Sequence, residues 1–150
     1  MALKARIKDE MKAALLSGDR FVGETLRNLT AAILDEEVKL GKRDEGLSDE
    51  EIEKVVAREV KKRNESAKIY RDNNRPDLAE PEEGEIEVLQ AYLPKQLDET
   101  ELAAIIETKI AELGVTGPQV MGQVIGAVKK QVGNAADGAA IARIVKQKLN

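Results

Sequence analysis

The fold is decided by residues 98–114, which read DETELAAIIETKIAELG. Asp98 followed three residues later by Glu101 is the pattern of a capping box, which begins a helix, and Gly114 is a typical helix end. Between these signals the apolar residues recur every three or four positions, the spacing of one helical face. They are Leu102, Ile105, Ile106, Ile110 and Leu113. This stretch therefore predicts an amphipathic helix.

Two more short helices are predicted after it. Pro118 suits the first residue of one helix and Gly133 its end, and Asp137 is placed to cap the other. Their apolar stripes are Val120, Val124, Ile125, Val128 and Val132 in the first, and Ile141, Ile144, Val145 and Leu149 in the second. Residues 94–150 are therefore predicted to form a three-helix bundle.

Residues 1–93 are predicted to form a separate helical domain of longer helices. A first stripe ends near Ser17-Gly18, and Asp19 caps a second helix. Ser48 with Glu51 makes another capping box, which opens a long charged helix of about residues 49–73. Pro81 is expected to delay the next helix to about residues 82–92, and Pro94 stops it. No strand-like alternation competes, so the fold class is all-α.

The composition excludes several kinds of site. The chain has no cysteine and no histidine, so disulfides, thiolate metal sites and Ser-His-Asp hydrolysis are ruled out. The acidic runs Asp35-Glu36-Glu37 and Asp49-Glu50-Glu51 are interpreted as solvated helix faces, because neighbours along a helix point in different directions. No cofactor and no metal are expected. With no apolar run of membrane-spanning length and no signal peptide, we expect no membrane contact and a cytoplasmic location.

Charge is distributed unevenly along the chain. Residues 1–93 hold 17 basic and 22 acidic residues, a net charge of −5, whereas residues 94–150 hold 7 and 6, a net charge of +1. The second part is the better candidate for meeting an anion, because Asp137 is the only acid within 118–150. Its cations in that range are Lys129, Lys130, Arg143, Lys146 and Lys148.

Three glycines join these cations as candidates. Gly122 and Gly126 share a helix face, which indicates either a tight contact with a neighbouring helix or a smooth surface for an RNA backbone. Gly138 either joins two helices or leaves backbone N–H groups open to a phosphate. The predicted nucleic-acid-binding set is Lys129, Lys130, Arg143, Lys146, Gly122, Gly126 and Gly138. With few aromatic side chains, it would read phosphates and shape and not exposed bases.

Several motifs, in order, resemble the YqeY family. In the second part they are Tyr92-Leu93-Pro94-Lys95-Gln96-Leu97, Met121-Gly122-Gln123-Val124-Ile125, Ala136-Asp137-Gly138 and Ile144-Val145-Lys146. In the first part they are Leu26-Arg27-Asn28-Leu29, Arg63-Asn64-Glu65-Ser66 and Arg75-Pro76-Asp77-Leu78-Ala79. The resemblance covers nearly the whole chain. One position departs from it, since the family often has a basic residue where this chain has Asn134.

The resemblance implies a role connected with tRNA. The family's C-terminal module is similar to the tail of GatB, the B subunit of the glutamine-dependent tRNA amidotransferase, in which that tail is implicated in contacting tRNA. It implies a non-catalytic accessory protein that docks on tRNA or on tRNA-processing or amidotransferase proteins. Two alternatives stay open: a protein–protein adaptor of a translation complex, and a carbon–nitrogen ligase with glutamine as amido-N-donor.

Overall fold

A computed structural model describes residues 2–150, and the prediction of an all-α fold is confirmed. Seven α-helices and no strand occur in this range. They are α1 (Ala2–Leu16), α2 (Arg20–Lys39), α3 (Asp49–Asp72), α4 (Pro76–Gln90), α5 (Glu99–Leu113), α6 (Met121–Val132) and α7 (Gly138–Leu149). Within residues 2–150, no helix combines the length and apolar character needed to cross a bilayer. The chain divides into two compact units, Met1–Leu93 and Pro94–Asn150.

The first unit contains two antiparallel helix pairs. Leu15 of α1 lies against Gly23 of α2, while Lys4 near the start of α1 reaches Glu37 near the end of α2. In the same way α3 and α4 are joined by ion pairs from Arg63 and Arg71. The buried core is aliphatic except for one tyrosine: Ile7, Leu26, Leu29, Ile33, Leu47, Ile52, Val55, Val56, Val60, Ile86, Leu89 and Tyr92.

One acidic run does not have the environment that the sequence predicted. Glu37 is only 2% exposed, and its carboxylate accepts a 2.6 Å hydrogen bond from Lys4 Nζ. The interpretation of Asp35-Glu36-Glu37 as a solvated face is therefore wrong for Glu37. The physical reason is that α1 covers this side of α2 and supplies the cation that a buried carboxylate requires.

The prediction for the start of α4 is also wrong. The helix begins at Pro76, the residue after its N-cap Arg75, and continues through Pro81. Proline suits the first helical position, and Arg75 makes two hydrogen bonds to Asp77, at 3.0 and 3.1 Å, that hold this first turn. Pro81 removes one backbone N–H, and the packing of α4 on α3 outweighs that loss, with Ala79 fully buried one turn into the helix.

In the second unit the cap signals at the two ends of α5 are confirmed. Asp98 and Glu101 form both hydrogen bonds of the capping box at α5, and Gly114 ends the helix with φ +62°. Pro118 is not the first residue of the α-helix, as the sequence predicted: it begins a short 3-10 turn, Pro118–Val120, and α6 starts at Met121. The three helices enclose a second core: Leu102, Ile106, Val124, Val128, Ile141, Ile144, Val145 and Leu149.

Candidate nucleic-acid interface

The outer face of α6 is smooth because two glycines lie on it. Gly122 and Gly126 are exposed, and a Cβ atom added to either would meet nothing within 4 Å in the described chain. Val124 and Val128 place the opposite face of α6 in the core. The glycines therefore do not serve a tight contact with a neighbouring helix of this unit, and another molecule could approach the backbone here.

Lys129 and Lys130 lie on the exposed side of the last turn of α6. Lys129 follows Gly122 and Gly126 at helical spacing, so these three residues form one stripe. The Lys129 side chain bends toward the start of α7, where its Nζ lies 3.5 Å from the position of an added Cβ on Gly138. The structure thus brings Lys129 and Gly138 together.

The start of α7 is capped differently from that of α5. Asp137 occupies the N-cap position, as the sequence predicted, but its side chain makes no capping hydrogen bond to the first turn. The Asp137 carboxylate therefore does not accept a hydrogen bond from a backbone N–H group of the first turn, as an N-cap side chain usually does. The start of α7 thus carries the Lys129 ammonium group and the Asp137 carboxylate together.

Arg143 and Lys146 are three residues apart on the exposed side of α7, opposite the buried Ile141, Ile144 and Val145. They differ in their partners. Arg143 makes an ion pair with Glu99 in the first turn of α5. Lys146 makes no ion pair with any residue of 2–150, and the same holds for Lys129 and Lys130. Of the four predicted phosphate-binding cations, three are unpaired and one is held by a carboxylate.

The carboxylates of this unit are segregated from those three lysines. Apart from Asp137, all of them lie on α5 or at its cap: Asp98, Glu99, Glu101, Glu107 and Glu112. Glu107 pairs with Lys148 of α7, and Glu112 pairs with Lys109 on α5 itself. The segregation leaves α6 with cations and no acidic side chain, an arrangement suited to an anionic backbone.

A short segment before α5 fixes the turn between α6 and α7, which sequence reasoning missed. The Gln96 side-chain amide donates to the carbonyl of Asn134 at 3.0 Å, and the Leu97 N–H donates to the carbonyl of Ala135 at 2.9 Å. Asn134, where the family often carries a basic residue, thus contributes its backbone to this connection. The quoted motif contains both donors, but only coordinates could identify their acceptors 38 residues away.

In the first unit a polar groove of about 350 Å³ separates α2 from α3. Asn28, Asp35 and Lys39 line one side, and Arg58 and Lys62 the other. The groove carries both acidic and basic side chains.

Across residues 2–150, no group of three or more carboxylates is arranged to hold a metal ion.

A partly buried hydrogen bond in the first unit joins Tyr92 to Glu10. Burial, together with the hydrogen bond to Glu10, raises the pKa of the Tyr92 hydroxyl, and the same hydrogen bond lowers the pKa of the Glu10 carboxyl. Arg6 lies over the Tyr92 ring, 4.7 Å from its centroid. Because the phenol stays protonated as a donor, this cluster is a structural junction between α1 and the end of the unit.

The fold and this face define an all-helical protein whose C-terminal three-helix unit presents unpaired lysines and exposed glycines. The chain matches the family described as Yqey-like protein over residues 4–149. It belongs to the YqeY family.

Its relatives include fungal proteins named "Altered inheritance of mitochondria protein 41, mitochondrial". The one from Lachancea thermotolerans is 29% identical over 149 residues, which is 97% of this chain and 78% of the relative. The one from Eremothecium gossypii is 32% identical over 143 residues, 90% and 76% of the two chains. The name describes an inheritance phenotype and no ligand.

These relatives correct the expected location. The prediction of a cytoplasmic protein is wrong by this comparison, because the relatives are named as mitochondrial proteins. The expectation rested on the lack of an apolar run of membrane-spanning length and of a secretory signal peptide, and these features do not distinguish the cytoplasm from the mitochondrion.

Proposed function

We propose that this protein is a non-catalytic accessory protein whose C-terminal unit binds tRNA through the outer faces of α6 and α7. One observation carries the proposal: Gly122, Gly126 and Lys129 form one exposed stripe on α6, with Lys130 and Lys146 also exposed and without an ion pair to any residue of 2–150. Unpaired lysines attract phosphates, and bare backbone lets a sugar–phosphate chain approach closely.

The chemistry of the face favours backbone contacts. The aromatic residues Phe21, Tyr70 and Tyr92 all precede Pro94, so the C-terminal unit has no ring on which an unpaired base could stack. Lysines are also poorly suited to recognising the edges of bases, because each is a point charge on a flexible side chain. A structured RNA recognised by shape and phosphate position is therefore the ligand class that fits.

Electrophoretic mobility shifts with unfractionated tRNA at low and moderate salt test the proposal. We expect a shift at low salt that weakens as salt rises, because counterion release drives phosphate contacts. The variant Lys129→Glu with Lys130→Glu should lose most of the binding. In Lys129→Gln with Lys130→Gln, the slope of log affinity against log salt should fall by about 2, roughly one for each lost phosphate contact.

A matched control distinguishes the effect of these two positions from the effect of the change in total charge. Lys8→Glu with Lys12→Glu makes the same charge change at two exposed positions of α1 in the other unit. We expect this control to keep much more affinity than the α6 variant. The proposal fails with no shift at low salt, or with equal loss in both variants.

A second candidate function, a protein–protein adaptor, is favoured by an apolar ridge on α2. Leu34 is 39% exposed and Val38 is 59% exposed, and Ala31 precedes them on the same face. If this ridge docks a translation protein, amidotransferase or synthetase subunits should copurify after nuclease treatment, and Leu34→Asp with Val38→Asp should abolish their recovery. A carbon–nitrogen ligase activity ranks third, and glutamine-dependent amide release by the pure protein would support it.

A further inference from the structure

The ion pair between Arg143 and Glu99 joins two exposed side chains. Arg143 is 48% exposed on α7, and Glu99 is 70% exposed in the first turn of α5. Their positions are 44 residues apart in the sequence, so the pair exists only because α5 and α7 lie side by side. Arg143 is the one candidate phosphate-binding cation that already has an anionic partner.

The Glu99 carboxylate accepts a hydrogen bond from Arg143 Nη2, a donor that a phosphate would also use. An arginine side chain offers the same planar set of N–H donors to carboxylates and to phosphates. While Glu99 holds this donor, a phosphate must displace it before Arg143 can offer its full set of N–H groups. The neighbouring Lys146 has no such competitor among residues 2–150.

The exposure of Arg143 and Glu99 indicates that their ion pair can open reversibly and does not tie the helices together. Arg63 in the first unit is only 11% exposed and is held by both Glu59 and Glu85, as expected for an arginine that ties helices together. Arg143 has a single acidic partner and both side chains reach solvent. Such a surface pair contributes little to folding and opens without disturbing a core.

From this geometry we propose that Glu99 is an internal competitor that holds Arg143 until a phosphate of the bound RNA replaces it. The inference rests on the proposed function and names how that site is regulated. The second pair, Glu107 with Lys148, repeats the pattern between the same two helices. Carboxylates of α5 thus restrain two of the three cations of α7, which limits non-specific binding of weak polyanions.

The test is a double-mutant cycle on affinity for unfractionated tRNA. Glu99→Gln should raise affinity about two- to fivefold, the size expected when a surface ion pair no longer has to be broken. Arg143→Gln alone should weaken binding. In the double variant the gain from Glu99→Gln should disappear, because Glu99 acts through Arg143.

Glu112→Gln is the matched control. It removes the same charge from α5, but Glu112 pairs with Lys109 on its own helix and touches no cation of α7. We expect at most a small gain that does not depend on Arg143. A gain from Glu99→Gln that persists fully in the Arg143→Gln background would overturn the proposal, since Glu99 would then act by simple repulsion. No gain at all would overturn it as well.

A second probe separates this proposal from the proposed function. The same four proteins are eluted from immobilised heparin with salt, and Glu99→Gln should elute later only when Arg143 is present. If tRNA does not bind but this Arg143-dependent delay occurs, the tRNA function fails, whereas the competition of Glu99 with an external anion for Arg143 stands. If neither the parent protein nor Glu99→Gln binds tRNA or heparin, both proposals fail.

Discussion

Lys4 of α1 neutralises Glu37, a carboxylate that α2 holds almost completely out of solvent. Their Nζ and Oε2 atoms are 2.6 Å apart, and Glu37 is 2% exposed whereas the Lys4 side chain is 23% exposed. Loss of the cation destabilises a protein far more when the carboxylate is buried than when it is on the surface. The pair therefore adds a specific polar contact to the apolar packing of α1 on α2.

Replacing Lys4 should destabilise the first unit strongly. Lys4→Met leaves the Glu37 carboxylate buried without its cation, and we expect the free energy of unfolding to fall by about 2–4 kcal/mol, somewhat less than for a fully buried pair because Lys4 is partly exposed. Urea unfolding followed by circular dichroism measures this change. Lys8→Met, one turn further along α1, is the control and should cost less than about 0.5 kcal/mol.

The pair can also be replaced as a whole. Lys4→Met with Glu37→Met removes both charges together, so no buried charge is left without a partner, and stability should recover to within about 1 kcal/mol of the parent. A double variant as unstable as Lys4→Met alone would contradict the account, because the loss would then come from packing and not from an unpaired charge.

Stability should depend on pH only at the acidic end of the ordinary range. The chain has no histidine, so we expect the free energy of unfolding to stay nearly level between about pH 6 and pH 9. Hydrogen bonds from Lys42 and from the Ser48 backbone lower the pKa of Glu51 to about 2. Because this folded-state pKa is lowered, the stabilisation is present above pH 4.5 and is lost as pH falls from there toward 2.

Glu51→Gln is the variant that checks the assignment. It keeps an acceptor for the Ser48 N–H in the capping box but cannot titrate. We expect a shallower loss of stability between about pH 4.5 and pH 2 in urea titrations. Equal slopes for the parent and Glu51→Gln would assign the acid sensitivity to other carboxylates.

Substitutions of the two α6 glycines should affect stability and tRNA binding differently. Gly122→Ala and Gly126→Ala place a methyl group in open space on a helix, so each should raise the free energy of unfolding by about 0.5–1 kcal/mol. Gly126→Met should fold equally well but lower affinity for tRNA, because its side chain keeps the RNA backbone away. A Gly126→Met protein with full affinity would remove this glycine from the interface.

The C-terminal unit should fold when it is produced alone. Residues 94–150 have a core of their own, with eight buried apolar residues, and α5 carries a complete capping box. We expect a helical circular dichroism spectrum and a cooperative thermal transition from this fragment. A non-cooperative transition would indicate that it depends on the first unit.

Local sequence signals predicted the features that depend on neighbouring residues. The capping box of Asp98 and Glu101, the left-handed Gly114 and the apolar stripe of α7 all follow from spacings of a few residues. The start of α4 was missed because local rules treat Pro81 as a barrier, whereas the packing of Ala79 and Ile86 is a tertiary effect.

Pairings across long separations could not be predicted. Glu37 depends on Lys4, 33 residues earlier, and Arg143 depends on Glu99, 44 residues earlier. In the sequence, the cations of the candidate interface stood out because few acids offset them, and Gly122 and Gly126 because they share a helix face. It could not show that Arg143 is already held while Lys129, Lys130 and Lys146 are not, because that depends on which carboxylates the fold brings within reach.

The confinement of Phe21, Tyr70 and Tyr92 to the first unit has an optical consequence. Intrinsic near-ultraviolet absorbance and fluorescence report on that unit alone, and the chain has no tryptophan to mask an added one. An indole introduced at the exposed Gln123, beside Gly122, would therefore be the single tryptophan emitter of the molecule. Its quenching would give a direct spectroscopic view of whatever approaches α6.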